Sequence, residues 1–179
     1  VILPNPLKVP ELMAKFISNK EIARLLRSVS AAYVVKDDDY FKITAYDKAA
    51  DSVEHATSEL KDLWDEGKLN TVPGLGKALQ AHLDELFKTG KVQYFESLKK
   101  DLPEGMFMIL DVPGMGPKNA YKIAKSLGIK SIENLEDAAR AGRIQKLPGF
   151  GEKSEQDILS SINEYKQRTS RYLLPHAFS

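Results

Sequence analysis

The chain of 179 residues contains no cysteine. Disulfides and Cys-ligated zinc are therefore excluded, which fits the reducing cytoplasm expected as its location. No apolar run is long enough to cross a membrane, and no signal-peptide pattern opens the chain, so no membrane partner is expected. An excess of charge of one sign is also missing. Lys and Arg number 26 against 25 Asp and Glu, a formal net charge of +1. Bulk electrostatics thus gives no case for nucleic acid, and any such case must rest on local arrangement. The three histidines, His55, His82 and His176, have no ligand-like spacing, and no Ser/His/Asp or Cys/His arrangement suggests a nucleophile.

Helical patterning fills most of the chain, and no convincing alternating strand pair is present. Residues 1–17 hold Pro4, Pro6 and Pro10 and read as an extension. Ser18 and Glu21 form a capping-box pattern ahead of Ile22, Leu25, Leu26 and Val29, so the first firm helix starts at Ser18. Asp37, Asp38 and Asp39 read as a solvated turn. A second helix is predicted from about Phe41 to His55, with Phe41, Ala45, Ala49 and Val53 at four-residue spacing, and Tyr46 half-buried on it. Leu60, Leu63 and Trp64 mark a third, stopping near Gly67, with Trp64 in the core. Further helices are predicted at about 76–88, 92–100, 105–110, 117–126, 132–140 and 152–167. In the sixth, Met106, Phe107 and Met108 are expected to pack a helix pair. Glu133, Glu136 and Asp137 fit an exposed face. The best domain break lies near Asp101-Leu102-Pro103. It separates a helical domain at 18–100 from a second helical unit at 103–167, with a tail at 168–179.

One pattern occurs three times. The copies are Val72-Pro73-Gly74-Leu75-Gly76-Lys77, Val112-Pro113-Gly114-Met115-Gly116-Pro117-Lys118 and Leu147-Pro148-Gly149-Phe150-Gly151-Glu152-Lys153. Each lies between two helical segments. Pro turns the chain out of the first helix. The glycines permit a tight turn and remove the Cβ that would hold a ligand off the backbone. The residue between them can plug the gap between the helices. The second glycine opens the next helix, whose first amides have no intrahelical partners, and these join the positive dipole end in an anion site. Phosphate is the natural ligand, and backbone amides read no base identity. The candidate phosphate-binding residues are Gly74, Gly76, Lys77, Gly114, Gly116, Lys118, Gly149, Gly151 and Lys153. A single copy could equally be a plain helix-to-helix turn. The third is the least favourable, because Glu152 places a like charge where phosphate would come, with Lys153 and Arg143 to offset it.

Pro-Gly-x-Gly-Lys between helices resembles the helix-hairpin-helix motif of DNA repair proteins. Asn19-Lys20-Glu21-Ile22-Ala23, the run from Phe41 to Ala50, Gly67-Lys68-Leu69 and Thr89-Gly90-Lys91 narrow the resemblance to the lyase-type amino-terminal domain of family X, polymerase beta-like, DNA polymerases. Arg143 to Lys153 is similar to the third hairpin of bacterial and archaeal members. The resemblance covers roughly 18–167. It implies an all-α fold, a helical bundle with three helix-hairpin-helix motifs like the amino-terminal domain of polymerase beta. It also implies sequence-independent binding of duplex, gapped or nicked DNA as part of a repair polymerase.

The same resemblance sets limits. No palm with paired metal-binding aspartates and no His-rich phosphoesterase lies in these residues, so the sequence reads either as a fragment of a parent chain that carries the catalytic polymerase domain, the expected case, or as a stand-alone relative. Family members often carry a Schiff-base lysine on the helix after the first hairpin, where this sequence places His82, and histidine forms no such imine. Ala78 and Tyr94 replace two further basic residues. The resemblance leaves Lys42 and Tyr46 for a 5′-phosphate at a gap. It also implies a monovalent cation, Na+ or K+, on backbone carbonyls. These belong to Asn70, Val72 and Leu75, then Leu110, Val112 and Met115, then Gln145, Leu147 and Phe150. Two rival readings stand beside DNA binding: a lyase using Lys77 or Lys91, and a protein-interaction scaffold that has lost DNA.

Overall fold

A computed structural model describes residues 17–173. Every regular element among them is helical: α1 Asn19–Val35, α2 Tyr40–Glu54, α3 Leu60–Asp65, a 3-10 turn Leu69–Thr71, α4 Lys77–Thr89, α5 Gln93–Lys99, α6 Glu104–Ile109, α7 Pro117–Leu127, α8 Ile132–Arg140 and α9 Glu152–Leu173. The chain divides into two compact units between Asp101 and Leu102. Nearly all of the proline-rich extension expected at 1–17 lies outside the described residues.

The first unit is built on α1 and α2. The capping box is present: the Ser18 side chain accepts from Glu21 N–H, and the Glu21 carboxylate accepts from Ser18 N–H. It satisfies two groups that a helix start otherwise leaves open, worth about 1 kcal/mol. Ile22, Leu26, Val29 and Tyr33 then form the inner stripe of α1, packed against Ala49, Ala50 and Val53 of α2. Small alanines let the two helices approach, and each fully buried Leu or Ile contributes roughly 1.5–3 kcal/mol. Arg27 ties the outer edge, donating to Asp51 at 2.8 Å and Glu54 at 2.6 Å. Asn19 is buried because it serves α3. Its Oδ1 accepts from Leu60 N–H at 2.8 Å, and its Nδ2 donates to the Ser58 carbonyl at 2.9 Å. Leu83, Leu86, Phe87 and Phe95 complete this core. Trp64 is half-buried at its edge, stacked obliquely on Phe87 and donating Nε1–H to Asp84 at 2.9 Å.

The second unit centres on Met106, Ile109, Val112, Ala120, Ile123, Leu135, Ile144 and Ile162, all essentially inaccessible to solvent. Met106 packs the helix pair as expected, whereas Met108 is 38% exposed. Gly105 sits so close to the α7–α8 connection that a Cβ there would lie 1.8 Å from the Ile129 carbonyl oxygen. Glu155, in the first turn of α9, is buried and accepts from Gln145 N–H at 3.0 Å and Gln145 Nε2 at 3.2 Å. That carboxylate fastens the start of the third hairpin to its second helix.

One boundary requires correction. The tail expected from residue 168 is helical as far as Leu173. No glycine or proline interrupts the sequence there, and Arg168 pairs with Glu164 one turn back while Thr169 Oγ1 donates to the Tyr165 carbonyl.

Candidate nucleic-acid interface

The three repeats form the same backbone turn. Val72, Val112 and Leu147 each donate N–H to the carbonyl three residues earlier, at 3.2, 3.0 and 3.0 Å. Their own carbonyls then accept from Leu75, Met115 and Phe150 at 3.3, 3.2 and 3.1 Å. The first glycine is left-handed in every copy, with φ of +81° at Gly74, +81° at Gly114 and +87° at Gly149. A side chain would be strained there, so the fold itself requires this glycine. The plug between the glycines is less uniform than expected. Leu75 is 5% exposed, but Met115 and Phe150 are only half-buried.

The second glycine has a different reason to exist. Gly76 has φ −69° and Gly116 has φ −84°, ordinary values for any residue at a helix start. A Cβ at Gly76, Gly116 or Gly151 would meet nothing within 4 Å. Neither strain nor crowding by the protein demands glycine at these points. Instead, α4 and α7 start without a side-chain cap, whereas α1, α2 and α8 are capped by Ser18, Asp39 and Ser131. The short helices α3, α5 and α6 also lack such a cap from the preceding residue. Serine or aspartate at the second glycine would take up the first-turn amides, while glycine leaves them to an outside acceptor. Lys77, Lys118 and Lys153 are all exposed at these mouths, as is Glu152 in the third.

The carbonyls assigned to a monovalent cation lie on these turns. In the first copy, the Leu75 carbonyl also accepts from Gln80 Nε2 at 2.7 Å. Ala120 and Glu155 stand at the corresponding positions after the second and third hairpins. A carbonyl oxygen has a second lone pair, so these donor sets remain compatible with a hard cation.

The region around His82, Lys42 and Tyr46 is aromatic. His82 is stacked on Tyr94 at 5.3 Å, with 6° between the planes, and tilted against Phe95 at 5.0 Å. The Tyr94 hydroxyl shares a 2.7 Å hydrogen bond with that of Tyr33, whose ring packs on Tyr46 at 5.5 Å. Tyr46 is 8% exposed, deeper than the half-buried position predicted. Burial first, then the neighbouring Tyr94, pushes its hydroxyl up to about 12. Burial and the hydrogen bond to Tyr94 raise Tyr33 as well. Lys42 lies over the Tyr33 ring and donates to Asp38 at 3.1 Å. That hydrogen bond, the largest cause, raises the Lys42 ammonium above its ordinary value. Lys77 and Lys91, the other amines considered for imine chemistry, are exposed.

The remaining residues singled out are structural or peripheral. Asp39 caps α2 by accepting from Phe41 N–H at 2.9 Å, Asp38 pairs with Lys42, and Asp37 holds a left-handed φ of +51° in the turn. His55 is exposed at the end of α2, and His176 lies outside the described residues. Among the described residues no group of three or more His, Cys, Asp or Glu is placed to hold a metal ion, and no helix is long and apolar enough to cross a membrane. Sequence reasoning missed the roles of Asn19, Gly105 and Glu155, which depend on partners distant along the chain or on burial.

Residues 17–92 match the family described as helix-hairpin-helix domain, and residues 107–164 match the SAM-like helix-hairpin-helix tandem. The chain is 34% identical over 158 residues to DNA polymerase/3'-5' exonuclease PolX of Bacillus subtilis, covering 88% of this chain and 27% of that protein. It is 26% identical over 157 residues to DNA polymerase lambda of Arabidopsis thaliana, covering 87% and 28%. A shorter match, 26% over 93 residues, covers 52% of this chain and 47% of the Holliday junction branch migration complex subunit RuvA of Desulforamulus reducens. The chain thus spans about a quarter of the length of the two polymerases. Helix-hairpin-helix domains in both halves, and an alignment with these polymerases over most of its length, make this chain similar to the amino-terminal helix-hairpin-helix region of the family X DNA polymerases.

Proposed function

We propose that the chain binds DNA through its phosphate backbone, without reading sequence, as the DNA-binding part of a repair polymerase. The observation that carries this reading is the second glycine of each hairpin. Three times the fold spends glycine where a Cβ would be unstrained and uncrowded, and in the first two copies the following helix start has no side-chain cap. A backbone approached closely by a large anion accounts for both features. Exposed Lys77, Lys118 and Lys153 add charge at the same mouths. The relatives named as DNA polymerases support the context.

Three finer points belong to the same reading. Na+ or K+ on the hairpin carbonyls would neutralise part of a nearby phosphate's charge. A 5′-phosphate at a gap would have to draw Lys42 away from Asp38, so removing that phosphate is expected to change affinity little. Catalysis of synthesis is assigned to a polymerase domain of the parent chain.

Gly76→Ser together with Gly116→Ser is the direct test. Both positions accept a side chain without strain, and the new hydroxyls cap α4 and α7. Thermal stability should hold or rise by a few tenths of a kcal/mol per helix, while DNA affinity falls at least about tenfold. Unchanged DNA affinity in the doubly substituted protein would refute the hairpin mechanism and favour a protein-interaction scaffold.

A further inference from the structure

Lys122 lies on α7, the helix that follows the second hairpin, yet its ammonium reaches the turn of the third. Its Nζ donates to the Pro148 carbonyl at 3.0 Å and lies 5.8 Å from the centre of the Phe150 ring. A Cβ added at Gly149 would lie 3.4 Å from the same nitrogen. The corresponding points of the other two turns differ. Gly74 is backed by Ser52 and the backbone of Ala49, and Gly114 faces nothing within 4 Å. Of the three left-handed glycines, Gly149 is the one whose added Cβ would meet a cation brought from another element.

That turn is also the one whose own chemistry is least favourable to an anion. Glu152 opens α9 and is exposed at its mouth, where it offsets the positive end of the helix. Glu155 is committed to Gln145. An ammonium has three donors. One is used on Pro148, and Lys122 as a whole remains exposed, so charge and further donors stay available at the turn. Lys118, Lys122 and Lys125 follow one another at spacings of four and three, so they share a face of α7 that runs from the second hairpin's mouth to the third.

We infer that Lys122 is a phosphate-binding residue of the third hairpin, supplied by the helix that follows the second, and that it offsets Glu152 there. The inference rests on the proposed binding of DNA phosphates by these hairpins. Its consequence is that the second and third hairpins act as one phosphate-gripping unit.

The test uses the full chain and a fluorescent duplex, with affinity measured across a salt series. Lys122→Gln keeps a donor for the Pro148 carbonyl but removes the charge. Lys122→Arg keeps both. Lys130→Gln removes one exposed charge from the same unit, away from the hairpin turns. Lys122→Gln should reduce the slope of log affinity against log salt by about 1 and weaken binding about threefold to tenfold at 0.1 M salt. Lys122→Arg should restore the slope, and Lys130→Gln should leave it unchanged. A slope for Lys122→Gln equal to that of Lys130→Gln would overturn the inference while leaving the hairpin reading intact. A shifted melting temperature with an unaltered slope would mark Lys122 as a packing residue and overturn it equally. Absence of salt-dependent binding by the unsubstituted chain would remove the hairpin reading and this inference together.

Discussion

The imidazole of His82 lies flat against the ring of Tyr94, with 5.3 Å between centroids and 6° between planes. This stack occupies the place where the family resemblance puts an imine-forming lysine. Phe95 covers His82 from a second direction at 5.0 Å. An imidazole supplies no primary amine for a Schiff base, and the surrounding rings supply none either.

Borohydride treatment in the presence of an incised abasic substrate with a 5′-deoxyribose phosphate should therefore trap no covalent adduct with this chain. The check is gel analysis beside a lyase that does trap under the same conditions. A trapped band would contradict the account and direct attention to Lys77 or Lys91.

The tyrosine cluster gives a pH dependence with a definite sign. The Tyr46 hydroxyl is pushed up to about 12, chiefly by burial, against an ordinary value near 10. The folded state thus holds the phenolic proton more tightly than the unfolded chain. This stability is fully present below about 10 and is lost as pH rises towards about 12. Thermal melts from pH 8 to 12 should show a midpoint falling over that interval. Tyr46→Phe should fall less steeply, because its buried ring has no proton to lose. Equal slopes for the two proteins would contradict this assignment.

Gly105 is a packing constraint of the second unit. A Cβ there would come 1.8 Å from the Ile129 carbonyl oxygen and 2.8 Å from its carbon. Backbone cannot yield as a flexible side-chain end can. Gly105→Ala should cost at least about 3 kcal/mol, at the upper end of overpacking penalties. The measurement is chemical denaturation followed by circular dichroism. A loss below about 1 kcal/mol would mean that the α7–α8 connection moves aside easily.

Much of this architecture was readable because the determinants are local. The Ser18 and Glu21 cap and the Pro-Gly-x-Gly turns each lie within a few residues, and each forms as local physical chemistry requires, whereas the four-residue stripe expected on α2 holds only at Ala49 and Val53: Phe41 and Ala45 are exposed, and Tyr46 and Ala50 complete the buried face. What escaped depends on partners far along the chain. Gly105 in α6 is fixed by Ile129, Asn19 by Ser58 and Leu60, and Lys122 by Pro148. Glu155 looks like one more charged residue at a helix start, and its burial follows only from the return of Gln145 onto it. α9 runs beyond the expected residue 167, with Arg168 paired to Glu164 and Thr169 bonded to Tyr165 along the same helix. The two glycines of each hairpin looked equivalent in the sequence. Their backbone angles separate them, the first required by the turn and the second left free for a ligand.

The central claim is that repeated hairpin amides and their lysines hold DNA phosphates. It is tested most directly by fluorescence anisotropy with two duplexes of unrelated sequence, one of them also in gapped form, titrated from 50 to 200 mM salt. The account predicts equal affinity for the two sequences and a linear fall of log affinity with log salt, with a slope of several units. Failure to bind at the lowest salt, or binding indifferent to salt, would contradict it.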